Sequence, residues 1–257
     1  MVHLQIISDF HLEHRTGPID YEEFVKPSAN IIGLLGDIGS PYDPKLEHFI
    51  DWCSHRFQHV LYIPGNHEYY SQYGDPYQLL HQKLITICEK FNNVHLLDNK
   101  TFEFEDVVFI GSTLWSDIPP SKDGFIANYI NDFRLIFVTQ GQQMMPCHAR
   151  IEFAKNKAYL EKTIGEHKSK SKKIVVLTHH APSFHGTSAP KYETSDSRFA
   201  FASQLSCNHD LFAIRLWCCG HTHYNFHHNI EGYELLSNQV GYGKVIDRYN
   251  KEISISL

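Results

Sequence analysis

Asp9, His11, Asp37, Asn66, His67, His179, His180, His221 and His223 fall in tight clusters: Asp9-Phe10-His11, Gly36-Asp37, Gly65-Asn66-His67-Glu68, Thr178-His179-His180 and Gly220-His221-Thr222-His223. Carboxylate, carboxamide and imidazole donors without a thiolate suit a metal between hard and borderline, such as manganese, iron or zinc. Adjacent side chains diverge, so one of Asn66 and His67, and one of His179 and His180, is a natural ligand, which leaves seven donors. One open catalytic zinc takes about three plus water, so two ions sharing a bridging carboxylate account better for the count. Such a pair makes a bridging water acidic enough to leave hydroxide near neutral pH. The site stays formally positive against Asp9, Asp37 and hydroxide, which favours a phosphate ester and its transition state.

These donors need elements that bring them together. Each cluster follows a short apolar or β-branched run: Gln5-Ile6-Ile7, Ile31 to Leu35, Val60 to Ile63, Ile174 to Leu177, and Arg215 to Cys218. Such runs read as buried strands. Ligands of open α/β sheets sit beyond the carboxyl ends of strands, so five clusters at five strand ends describe one site. In extended backbone, alternation puts Asp9 and His11 on one face with Phe10 turned to the core, and His221 and His223 on one face with Thr222 turned away.

Helical spacing marks Pro44 to Phe57, Pro76 to Phe91, Ala149 to Ile164 and Phe199 to Ile214 as cover for the sheet. A second strand group, Val94 to Leu97, Thr101 to Phe104, Val107 to Ile110, Tyr233 to Leu236 and Glu252 to Leu257, with turns such as Asp98-Asn99, suggests an antiparallel partner sheet. Asp117 to Asn131 and Ser183 to Asp196 read as long loops on the ligand side. A chain of 257 residues, 42% hydrophobic, is long enough for one layered α/β domain spanning 1–257. The net charge of -6 argues against a protein that holds nucleic acid electrostatically. No secretory signal or membrane span is visible, and the six cysteines, Cys53, Cys88, Cys147, Cys207, Cys218 and Cys219, form no C-x-x-C pair. Buried free thiols in a reducing, cytoplasmic setting are the expectation.

With these motifs in order, D-x-H, G-D, G-N-H-[DE], a strand-end His and G-H-x-H, the chain resembles the calcineurin-like metallophosphoesterases over nearly its whole length. The stretches Asp9 to Glu13, Thr113 to Asp117, Asn131 to Arg134 and Thr178 to Ser183 are similar to one branch of small intracellular members. The resemblance implies a four-layer αββα sandwich of two mixed sheets flanked by helices, in agreement with the two strand groups. It also implies two divalent or mixed-valence transition-metal ions, one on Asp9, His11 and His223, the other on Asn66, His179 and His221, with Asp37 bridging both. His67 would stand near the substrate as acid or phosphate contact, and its ordinary pKa of about 6.5 suits it to protonate a departing alkoxide. His179 rather than His180 follows the apolar run directly and matches the first His of the family's H-H-x-P form.

The family's phosphoprotein phosphatases carry G-D-x-x-D-R-G, whereas here the run is Gly36-Asp37-Ile38-Gly39-Ser40-Pro41. Without that arginine the phosphoserine/threonine reading loses its phosphate clamp, for which Arg134 and Arg198 are candidate replacements. Tyr69, Tyr70, Tyr73 and Tyr77 follow the Asn66 cluster as packing residues or as the wall of a pocket. The leading expectation is hydrolysis of a small phosphomonoester or phosphodiester by hydroxide bridging two metals. A nuclease of the same superfamily would call for a basic groove and usually an added DNA-binding or dimerising segment, and neither is evident in the sequence; a scaffold that had lost the chemistry would show missing ligands, whereas Asp9 to His223 are intact with His67 present.

Overall fold

The computed structural model describes residues 1–168, 170, 172–205, 213–230 and 232–257. Strands run over β1 (His3–Ile7), β2 (Ile31–Leu35), β3 (His59–Ile63), β4 (Val94–Leu96), β5 (Lys100–Phe104), β6 (Val107–Ser112), the hairpin β7 (Phe137–Thr139) and β8 (Gln142–Gln143), β9 (Lys173–Thr178), β10 (Ile214–Cys218), β11 (His227–Ile230), β12 (Tyr233–Leu236) and β13 (Ile255–Ser256). One sheet has the order β13-β1-β2-β3-β4, with β1 to β4 parallel and β13 antiparallel at its edge. The other has the order β11-β12-β10-β9-β6-β5, with parallel strands inside and the antiparallel β5 and β11 at its edges. The helices are α1 (Pro44–Ser54), α2 (Tyr77–Cys88), α3 (Asp123–Tyr129), α4 (Asp132–Leu135) and α5 (Pro146–Lys168).

Alternation along the strands sorts the side chains into layers. Leu4, Ile6, Leu61 and Ile63 of the first sheet share one buried cluster with Phe109, Val175, Leu177 and Leu216 of the second, which is the core between the sheets. Their alternates, Ile32, Leu34, Val60 and Tyr62, and Val108, Ile110, Ile174 and Val176, pack in a larger cluster with helix residues. Leu46, Phe49 and Ile50 of α1 and Leu80 and Leu84 of α2 are buried in it. Helix α5 buries Ala149, Phe153, Asn156, Leu160, Thr163 and Ile164, a repeat of three and four residues that keeps one stripe against the sheet formed by β6 and β9. The layers are therefore helix, sheet, sheet and helix, as expected.

Several element assignments differ from the sequence reading. Val94–Leu96 pairs in parallel with β3, and Ile255–Ser256 pairs with β1, so both belong to the first sheet and not to a partner sheet. The Asp98-Asn99 turn thus carries the chain between sheets; it closes no hairpin. The ligand-bearing strands are divided, β1, β2 and β3 in one sheet and β9 and β10 in the other. Asp117 to Asn131 contains α3, and α5 begins at Pro146, before Ala149. No α-helix starts at Phe199: a 3-10 turn covers Asp196–Ala200, after which the amides of Ser203 and Leu205 bond to the carbonyls of Ala181 and Pro182 and the chain runs beside that segment. Residues 206–212 of the expected helix, with Cys207 and His209, lie outside the described residues. Cys53, Cys88, Cys218 and Cys219 are buried free thiols, but Cys147 is exposed at the start of α5. Among the described residues no helix is long and apolar enough to cross a membrane.

Candidate metal centre

The carboxyl ends of β1, β2, β3, β9 and β10 meet where the two sheets share a rim. The amide of Asp9 bonds to Gly36 O, that of His11 to Asp37 O at 2.9 Å, and that of Gly220 to His179 O at 2.9 Å. Beyond the strands the backbone is left-handed at Asp9 (φ 53°), His11 (50°), Asp37 (52°), His221 (68°) and His223 (50°). The donors within each cluster therefore converge through this conformation, not through the strand alternation expected from sequence. A left-handed non-glycine residue costs about 1 kcal/mol or more, and a concentration of five marks a site held against local preference. Two glycines permit the approach: a Cβ on Gly36 (φ 82°) would collide with His179 Nδ1, and one on Gly65 with Asp37 Oδ1.

Two donor groups result. Asp9, His11 and His223 form one, and Asp37, His179 and His221 the other, each with ligand atoms within 4.8 Å of one another. In the first, Nε2 of His11 and of His223 are 3.2 Å apart, and Asp9 Oδ1 is 3.3 Å from His223 Nε2. In the second, His179 Nε2 lies 3.1 Å from His221 Nδ1, 3.0 Å from Asn66 Oδ1 and 3.4 Å from Asp37 Oδ1. Asp37 Oδ2 turns the other way, 3.9 Å from His11 Nε2 and 3.9 Å from His67 Nε2.

The surrounding hydrogen bonds fix which atoms face the centre. His179 Nδ1 donates to Leu35 O at 2.8 Å and His221 Nε2 donates to Ala200 O at 3.2 Å, so His179 offers Nε2 and His221 offers Nδ1. His11 Nδ1 donates to Glu13 Oε1 at 3.1 Å, which leaves Nε2 for the first group. Asp132 Oδ1 accepts from Asn66 Nδ2 at 2.8 Å and from the Tyr70 hydroxyl, so Asn66 presents its oxygen. Glu68 is fully buried: Oε2 accepts from the amides of Asp37 and Gly65, and Oε1 from the Tyr62 hydroxyl and the amides of Ile38 and Gly39. The His223 amide donates to Gln239 Oε1.

These residues fit divalent cations. Asp9 Oδ1 is buried without a hydrogen-bond donor, and in each group the ring nitrogens of two histidines converge, 3.2 Å apart in the first and 3.1 Å in the second, as donors to one ion would. Charge points the same way. Burial alone would lower the pKa of His179, but Asp37 and Asp9 outweigh it and raise it to about 10; burial alone would raise that of Asp37, but His179, His67 and His11 outweigh it and hold it well below the usual carboxylate range. His11 and His221 are pushed down by burial, so they stand neutral and able to ligate.

Asp9, His11, Asp37, Asn66, His179, His221 and His223 are thus brought together, with His67 beside them. His180 is turned away at 86° to the His179 ring, and its Nδ1 donates to Thr113 O. His67 Nδ1 donates to Glu13 Oε1 at 3.0 Å, its ring stacks on Tyr70 at 4.2 Å, and its Nε2 shares a 3.0 Å hydrogen bond with the Tyr242 hydroxyl. Burial would lower the His67 pKa; Asp37 and Glu13 outweigh it and raise it to about 9. A further cluster, His11, Glu13, His14 and His67, shares His11 with the first group, and Glu13 Oε1 already accepts from both His11 and His67. Sequence reasoning assigned no role to Glu13, Glu68, Asp132, Gln239 or Tyr242. For Glu13 and Glu68 a signal existed, an acid directly behind a donor cluster; for the others the contacts are long-range.

A cavity of about 420 Å³ opens beside the centre, lined by Asp37, Asn66, His67, His221 and His223 and by residues of both flagged loops. Arg198 is on its wall. Arg134 is not; it is exposed and bonds to Asn128 O and Asn131 Oδ1. Of the four tyrosines behind Asn66, Tyr70 lines the cavity, Tyr69 is buried and Tyr73 is exposed.

The chain matches the family model for calcineurin-like phosphoesterase over residues 4–225. It is 32% identical over 266 residues to an uncharacterized protein of Acanthamoeba polyphaga mimivirus, covering 96% of this chain and 94% of that one. Its fold resembles the phosphopantetheinyl hydrolase of Mycobacterium tuberculosis (TM-score 0.72, 19% identity, 93% of this chain and 89% of that one). It also resembles a dimetal phosphatase from Danio rerio (TM-score 0.52, 12% identity, 94% and 88%). The chain belongs to the calcineurin-like phosphoesterases, metal-dependent hydrolases of phosphoric esters.

Proposed function

We propose that the protein hydrolyses a small phosphomonoester or phosphodiester with two transition-metal ions, of manganese, iron or zinc, held by Asp9, His11 and His223 on one side and Asn66, His179 and His221 on the other. The observation that carries this reading is Asp37: Oδ1 faces His179 at 3.4 Å and Oδ2 faces His11 at 3.9 Å, so one carboxylate serves both donor groups. Bound divalent ions supply Lewis acidity, making water a stronger acid and neutralising charge on phosphoryl oxygens.

The chain's own residues supply the rest. Asp132 keeps the Asn66 oxygen, and Leu35 and Ala200 keep the ring nitrogens of His179 and His221, turned to the centre. Glu13 holds His67 by Nδ1, so that its Nε2, on the cavity wall, can give a proton to the departing oxygen. Glu68 fixes the Asp37 and Gly65 turns that bring β2 and β3 to the site.

The test is hydrolysis of p-nitrophenyl phosphate and bis-p-nitrophenyl phosphate by chelator-stripped protein with manganese, zinc or iron restored, alongside metal analysis and Asp37→Ala. Two ions per chain and turnover that the variant loses are expected, and the preferred ester separates monoesterase from diesterase. One ion per chain with full activity would refute the shared role of Asp37.

A further inference from the structure

The wall of the cavity changes character with distance from the donor groups. Its inner ring stacks on histidines of the site: Phe201 on His221 at 4.7 Å, Tyr70 on His67 at 4.2 Å, and Tyr242 on His11 at 4.0 Å. Further out stand Phe184, Tyr192 and Tyr129, the last two 48% and 69% exposed. These outer rings come from two loops that Lys122 and Asp196 join at 2.7 Å, so the aromatic walls are tied together rather than independent.

Charge on the same wall is sparse. Apart from the donor groups, their histidines and Asp132, which Asn66 and Tyr70 occupy, Arg198 is the sole charged residue lining the cavity among the described residues, and no lysine does. Arg198 is partly committed, with one nitrogen on Glu193 O and its plane near Phe184 and Phe199, but its Nε is buried without a hydrogen-bond acceptor. A polyphosphate or a nucleic-acid backbone brings several anionic groups and needs several cations, which this wall lacks. Aromatic faces instead take apolar or flat groups, and a single N–H in such a wall takes one oxygen acceptor.

We propose that the cavity binds a phosphate ester whose organic part is uncharged and apolar or flat, seated between the Tyr129, Phe184 and Tyr192 rings, with one oxygen acceptor reaching the Arg198 guanidinium. The proposal rests on the phosphoesterase reading, which puts the phosphate at Asp37 and the organic part outward. The rim tyrosines are the specificity residues; in the free protein they expose apolar surface that such a ligand would cover.

The experiment compares 3-phenylpropyl phosphate with glycerol 3-phosphate on the metal-loaded protein. Both lose a primary alkoxide, so the comparison reads the organic part and not the leaving group. A kcat/KM at least about tenfold higher for the phenylpropyl ester is expected, and Tyr129→Ala and Tyr192→Ala, at exposed positions that do not threaten folding, should each move that ratio towards one. Calorimetric titration with 3-phenylpropylphosphonate and 3-hydroxypropylphosphonate should give the same order of affinity without turnover. Equal rates and equal affinities, or a preference for glycerol 3-phosphate, would overturn the proposal and leave the phosphoesterase reading standing. No hydrolysis of any ester by protein carrying its metals would remove both.

Discussion

Asp132 governs Asn66: the carboxylate takes both the Asn66 Nδ2 hydrogen at 2.8 Å and the Tyr70 hydroxyl, and so leaves Asn66 Oδ1 at 3.0 Å from His179 Nε2. A carboxamide is nearly symmetric in shape, so without that acceptor it can present nitrogen instead. Asp132→Ala should weaken the second metal by about 10- to 100-fold, the range for loss of a residue that orients a ligand. Asp132→Asn, which keeps an oxygen for both donors, should lose less. Competition with a fluorescent chelator measures this; equal losses in the two variants would mean that packing, not the hydrogen bond, orients Asn66.

Glu68 is the mechanical counterpart of the ligands. Burial and the Asp37 charge push its pKa up to about 7, so the comparison belongs at pH 8, where it is charged. In Glu68→Gln either amide orientation sets an NH2 group against two or more donors, the amides of Asp37 and Gly65 on one side or Ile38, Gly39 and the Tyr62 hydroxyl on the other. Unpaired buried donors cost about 1–3 kcal/mol each. Thermal melting should fall by about 5 °C or more for a chain of this size, and a melting point within a degree of the parent would show that the turns hold without Glu68.

Stripping the metals should also lower the melting point. Asp9 and Asp37 are buried among histidines, and no Lys or Arg ion pair with either is present among the described residues. Free metal at a thousandfold above Kd adds about 4 kcal/mol to stability, or about 10 °C here. Addition of manganese or zinc after chelation should restore the melting point, and Asp37→Ala should blunt the recovery. No shift on chelation of fully loaded protein would mean that the groups do not bind as part of the fold.

What could be read in the sequence follows range of interaction. The apolar runs ending at Ile7, Leu35, Ile63, Leu177 and Cys218 are local patterns, and each ends where a strand ends, except that β9 runs one residue further, to Thr178. Sheet membership is not local: Val94–Leu96 and Ile255–Ser256 read as strands, but nothing in their residues says which sheet they join. The donor clusters were visible because their spacing is short, whereas Asp132 acts on Asn66 across 66 positions and Tyr242 on His67 across 175. The left-handed backbone at Asp9 and His11 was also hidden, because aspartate and histidine, although commoner there than most non-glycine residues, adopt it at only a small share of their positions. Arg134 and Arg198 could be separated only by the fold.

Tyr242 sits on the atom that a leaving group would need. It stacks on His11 and His223, is 49% exposed, and stands between Gly241 (φ 92°) and Gly243 (φ 62°), two positions that let the loop bend. A substrate oxygen must replace its hydroxyl at His67 Nε2. Tyr242→Phe should therefore lower KM, by about 2- to 10-fold for one hydrogen bond, with kcat little changed. Abolished turnover would instead make the hydroxyl a proton carrier.

His67 itself can be tested by leaving group. If its Nε2 delivers the proton, the benefit is large for an alkoxide, which leaves poorly without one, and small for p-nitrophenolate, which needs none. His67→Ala should keep two metals per chain and lose about 10²- to 10⁴-fold on an alkyl ester, with a much smaller loss on p-nitrophenyl phosphate. Glu13→Gln should follow the same pattern more weakly, because Glu13 Oε1 accepts from His67 Nδ1 and also from His11 Nδ1. Steady-state rates on the two esters, with metal content measured in each variant, separate the roles: a loss of the same size on both esters would make His67 a phosphate contact and not the acid.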